Sequence, residues 1–163
     1  MTQDFHSELD PVSFLQFESD SQRWLAGGTV QVALPLHLSV EVDAMYRGLQ
    51  FTSTYAFGGP IKYITVGSVP TWEFPVLAKY RFSFPLLKPI IEAGPSFRIA
   101  GNLNGTSPSN HGFVIGVGLE TGAWKVKISP QVRYIRWAAD TATPVYGPPT
   151  NLNQVEILLG ITI

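Results

Sequence analysis

Cysteine is absent from all 163 residues, so neither a disulfide framework nor a thiolate metal site can hold this chain together. Charge is scarce too: charged residues make up 14% of the sequence and the formal net charge is −1. No basic stripe of the kind nucleic-acid binders carry is found, so no nucleic-acid partner is expected. No apolar run approaches the ~18–20 residues of a transmembrane helix, and any membrane crossing would have to use strands. The opening residues carry Asp4, Glu8 and Asp10 and lack a basic region followed by an apolar one, so no signal peptide is written in this numbering. An exported protein would then be represented here without its targeting segment. No Gly, Ser or Pro linker divides the chain, whose length suits one small barrel and not two cores.

What the chain has in quantity is alternation. Seven stretches change between apolar and polar at every residue, the period of a β-strand. In the clearest, 71–82, Trp72, Phe74, Val76, Ala78, Tyr80 and Phe82 share one face, while Glu73, Lys79 and Arg81 share the other. The pattern recurs at 24–34, 38–47, 91–99, 113–121, 126–136 and 153–163. The polar faces carry the charges and the broad surface is apolar, so the sequence reads as a barrel turned inside out.

Connections alternate in length. Short ones fall at Pro35, at 84–88 around Pro85 and at 121–125 around Gly122; long ones fall at 48–70, 100–110 and 138–151. This predicts an all-β, antiparallel up-and-down transmembrane β-barrel of the eight-stranded type, with tight periplasmic turns and longer external loops. Residues 23–163 would form the barrel domain, and 1–22 an N-terminal segment in the place of an external loop. Seven strands are clear, whereas barrels of this type have an even number, and an unpaired edge in hydrocarbon is costly. The first strand is expected either upstream of Met1 or as a short strand at 12–18.

A barrel of this size is filled by its own side chains. The inward faces would supply Glu41, Asp43, Glu73, Glu92, Glu120 and Glu156 as acids and Arg47, Lys79, Arg81, Arg98, Lys127 and Arg133 as bases, six of each sign. That balance predicts an interior salt-bridge network, a plug and not a pore. Trp24, Tyr46, Trp72, Phe97, Phe113 and Tyr134, with Trp137 as a further candidate, fall toward the long-loop ends of their strands. Phe82, Phe84 and Trp124 fall at the short-turn ends, which gives two aromatic girdles around an aliphatic band. The competing reading is a soluble sandwich or a lipocalin-like barrel holding an apolar ligand, which would need the charged faces to point outward.

The stretches 38–46, 72–80, 92–98 and 128–137, and above all the strings Trp72-Glu73-Phe74-Pro75 and Ala93-Gly94-Pro95-Ser96-Phe97, resemble the bacterial outer-membrane protein β-barrel domain family, small barrels similar to OmpA and OmpX. The likeness runs from about Arg23 to Ile163. It implies an integral protein of the Gram-negative outer membrane, surrounded by outer-membrane lipid, with the barrel-assembly machinery as its partner during insertion. Two departures stand out: the family's first strand is not visible, and Ile163 stands where such barrels usually end in Phe.

Some small outer-membrane barrels hydrolyse lipid or peptide, an alternative that would need a His paired with a Ser or an acid near the outer leaflet. His37 lies beside a short turn and His111 begins a strand at the opposite end, so they cannot share a site. His6 and His111 with Asp4, Ser107 or Ser109 would be a loop-borne Ser-His-Asp arrangement, a combination that Ser- and Asp-rich loops produce freely. The sequence is read as non-enzymatic, with no metal or cofactor site. Gly116-Val117-Gly118 lacks the helix start of a nucleotide loop, and its inward glycines make room for bulky neighbours. Phe51, Tyr55, Phe57 and Tyr63 mark 48–70 as a candidate external binding loop, although extension of the barrel as a hairpin around Gly58-Gly59-Pro60 is the favoured reading.

Overall fold

The computed structural model describes residues 9–10, 15–19, 24–56, 62–84, 87–100, 109–123, 126–139 and 151–162. Among these the regular elements are all strands: β1 (Leu9–Asp10), β2 (Leu15–Ser19), β3 (Ala26–Ala33), β4 (Leu38–Ala56), β5 (Lys62–Arg81), β6 (Lys88–Ala100), β7 (His111–Ala123), β8 (Val126–Trp137) and β9 (Asn153–Thr162). From β3 to β9 each strand pairs antiparallel with the next, so seven up-and-down strands form one sheet. The sheet curls into an open half-barrel. Its curvature brings Arg133 of β8 within 2.6 Å of Asp43 of β4, four strands away around the sheet.

The period-two pattern dictates which side goes where. β8 reads exposed, exposed, exposed and then strictly buried and exposed in turn, with Ser129, Gln131, Arg133, Ile135 and Trp137 on the concave side. Because residues directly opposite in an antiparallel pair share a face, the register carries this assignment around the sheet. Glu41 opposite Leu77, Lys79 opposite Glu92, and Glu92 opposite Gly116 opposite Arg133 all belong to the concave side.

At the ends of the strands the chain departs from expectation in two places. Leu15–Ser19 is a strand, but it pairs with the outer half of β4 (Leu15 opposite Tyr55, Ser19 opposite Phe51) in line with β3, which pairs with the inner half. It therefore continues β3 outward and is not a first strand beside β9; the remainder of 12–18 lies outside the described residues. The stretch 48–70 is mainly strand: β4 runs on to Ala56 and β5 starts at Lys62, paired as far as Ala56 opposite Lys62, which is the hairpin extension. β1 pairs with the other edge of β2.

The β3–β4 connection is tight. Leu38 N–H donates to Pro35 carbonyl at 3.4 Å, and Leu36 and His37 between them both have φ of 62°. Two successive positive φ values define a type I′ turn, the hairpin turn whose twist matches the strands, here made without the usual Asn or Gly.

Candidate functional site

The concave face sorts its charges into separate groups. Arg133 is the hub of the first: Nε meets Glu92 Oε1 at 2.6 Å, Nη1 meets Asp43 Oδ2 at 2.6 Å and Nη2 meets Glu41 Oε1 at 2.9 Å. Lys79 Nζ closes a ring by meeting Glu41 at 2.5 Å and Glu92 at 3.1 Å. Arg47 forms a second group, 3.3 Å from Glu73 and 4.0 Å from Glu156 of β9. The pair Arg81–Glu120, at 2.7 Å, makes a third near the short-turn end. Glycines in β7 make the first group possible. A Cβ on Gly116 would lie 2.6 Å from Glu92 Oε1 and 3.1 Å from Arg133 Cγ, and one on Gly118 would lie 2.8 Å from Gln131 Cγ.

Two of the twelve expected network residues behave differently. Arg98 donates from Nε and Nη2 to the Ser109 carbonyl at 3.1 and 2.9 Å and lies 4.1 Å from the centre of the Trp137 ring, a cation–π contact. Lys127 is exposed and meets no carboxylate among the described residues, because it sits close to the start of β8 where the concave face opens to the rim.

Sequence reading missed an apolar layer inside. Leu77, Val114, Ile135 and Trp137 are buried together on the concave side, between the Arg133 group and the long-connection end, and Leu152 packs against them. Trp137 is thus not a girdle residue: its Nε1 donates to Gln154 Oε1 at 2.7 Å inside the curl. Parity was the available signal, since Trp137 and Ile135 share the face of Arg133, and Leu77 that of Lys79.

The convex face is the reverse. Of its described side chains on β3–β9, Arg136 alone carries a formal charge. Among the described residues twenty-eight large apolar side chains are exposed, against five that are buried. Trp24, Tyr46 and Trp72 form a chain of rings near the long-connection end, with centroids 6.0 and 5.4 Å apart, and Phe97, Phe113 and Tyr134 are exposed farther round. Tyr80 and Phe82 pack edge to face at 4.9 Å near the short turns. Trp124 lies outside the described residues.

Among the described residues no strand joins β3 to β9. Both strands run in the same direction, and a cavity of about 830 Å³ is lined by both edges, from Gly27 and Gln31 on one side to Ile157 and Gly160 on the other, with Glu41 and Arg133 at its back.

The residues considered for catalysis do not assemble among those described. Ser109 Oγ donates to the backbone carbonyl of His111 at 3.0 Å and not to its ring, while His111 Nδ1 faces Asn110 Oδ1 at 2.9 Å. Asp4, His6 and Ser107 lie outside the described residues, as does Phe57; the backbones of Phe51, Tyr55 and Tyr63 are strand. No group of three His, Asp or Glu residues with metal-binding geometry occurs among the described residues. The class defined so far is an antiparallel half-barrel with a charged concave face and an apolar convex one. No family model, curated protein or solved structure matches the chain.

Proposed function

We propose that this protein is an integral outer-membrane β-barrel whose interior is filled by side chains and whose role is structural or a surface interaction through its long external connections. One observation carries the reading: charge is confined to the concave side, and Arg136 is the single charged group among the described convex residues of seven strands. In water such a surface would bury itself; in hydrocarbon it is the surface that costs least. The ring-rich ends of the strands suit the two membrane interfaces. Strand lengths of 10 to 13 residues in β6 to β9 match the ~9–11 residues a tilted spanning strand requires, with a margin for the rims.

Closure belongs to the same reading. β3 and β9 run in the same direction, so one strand antiparallel to both completes an eight-stranded barrel and covers two strand edges that no described strand covers. β1 already occupies that sheet position farther out, on the free edge of β2. The closed interior is a plug, because the Arg133 and Arg47 groups bridge opposite walls. The deciding measurement is refolding into phospholipid vesicles, followed by flotation and by gel migration with and without heating. Co-flotation and a heat-dependent shift are expected; a protein that stays soluble without detergent and leaves the vesicles behind would end the membrane reading.

A further inference from the structure

A lone charge on an apolar wall calls for a reason. Arg136 is the penultimate residue of β8, exposed at the long-connection end, directly opposite Phe113 of β7 and Asn153 of β9. Its Nη1 donates to Asn153 Oδ1 at 2.5 Å, and the same oxygen accepts from the Tyr134 hydroxyl at 2.6 Å. The guanidinium is therefore held in place, while its Nε and Nη2 have no partner among the described residues. His111 lies two residues before Phe113 on the same face, a diagonal neighbour of Arg136 at about 7–8 Å by sheet geometry. With Nδ1 turned to Asn110, its Nε2 is left for another partner.

We propose that Arg136 and His111 bind a phosphate group of a membrane lipid at the long-connection rim, with Asn153 and Tyr134 positioning the guanidinium. The forked donors of arginine match two phosphate oxygens at once, and a histidine N–H can supply a third contact. Lipid is the source because of what surrounds the pair. Phe113 and Ile115 are about half exposed just below it, at 53% and 50%, and acyl chains attached to the phosphate would cover them, which a free ion cannot do. The apolar surroundings also lower the local dielectric and strengthen the charge pairing. This inference rests on the membrane reading above.

The test uses the full chain in detergent micelles and native mass spectrometry, with diacyl phosphatidic acid as the probe, diacylglycerol as the phosphate-free control and inorganic phosphate as competitor. One phosphatidic acid should be retained and diacylglycerol should not. Arg136→Gln should weaken retention about tenfold and His111→Ala about threefold, the range spanned by the loss of one ordinary hydrogen bond. Arg136→Lys keeps the charge, loses the fork, and should fall between. Retention unchanged in all three variants overturns the site, and so does equal displacement by inorganic phosphate at the same concentration, which would make it a free-anion site. Flotation with vesicles is read in parallel. A chain that floats but shows no dependence on Arg136 refutes this site alone, whereas one that does not float refutes both readings.

Discussion

The two faces of one sheet obey opposite rules. Among the described residues ten charged side chains are buried on the concave side, beside a small apolar layer, while the convex side carries most of the twenty-eight exposed large apolar side chains and one cation. Both faces are written by the same strands, one residue apart. The contrast teaches that one sheet can carry two opposite rules: the concave face pays for its charges with ion pairs, and the convex face is the one the proposed membrane would cover.

The largest effect should come from breaking the concave rule. Arg133→Met removes the cation shared by Glu41, Asp43 and Glu92, leaving Lys79 to serve two of them, and should cost about 3–5 kcal/mol in urea unfolding from vesicles. A loss below about 1 kcal/mol would mean the group is hydrated and not sealed. The convex rule is tested next by Val117→Arg, at the middle of β7 on the open apolar band. It should cost about 2–4 kcal/mol in vesicles if the residue faces the bilayer centre, whereas a water-facing residue there would show almost no change. The smallest effect sharpens the boundary between the faces: Lys127→Ala, at the rim and away from every carboxylate described, should stay within about 0.5 kcal/mol of the parent. A larger loss would place Lys127 inside the network.

Much of this was legible because a strand's period is two and a one-residue slip would invert both faces. The seven strands, the exposed rings at Trp72, Phe97 and Phe113, and the space made by Gly116 could all be read along the chain. What could not be read depends on partners distant in sequence. The grouping of charges is set by which strands face each other across the curl, β4 with β8 and β4 with β9, and no local pattern specifies that distance. Leu15–Ser19 alternates too weakly to declare a partner, and only its register against β4 shows it as an outward continuation of β3. The apolar layer of Leu77, Val114, Ile135 and Trp137 escaped because an apolar residue at an inward position looks like a lapse in the pattern when it is a separate filling.

The open seam has a consequence for the molecule away from any membrane. Among the described residues no strand covers the outer edge of β3 or of β9, and an uncovered strand edge is a template for pairing with a further strand. If β9 of one molecule met β3 of the next, the contact would be heterologous and would propagate as a ribbon. Handling of the protein in solution would then turn on how soon that seam is covered.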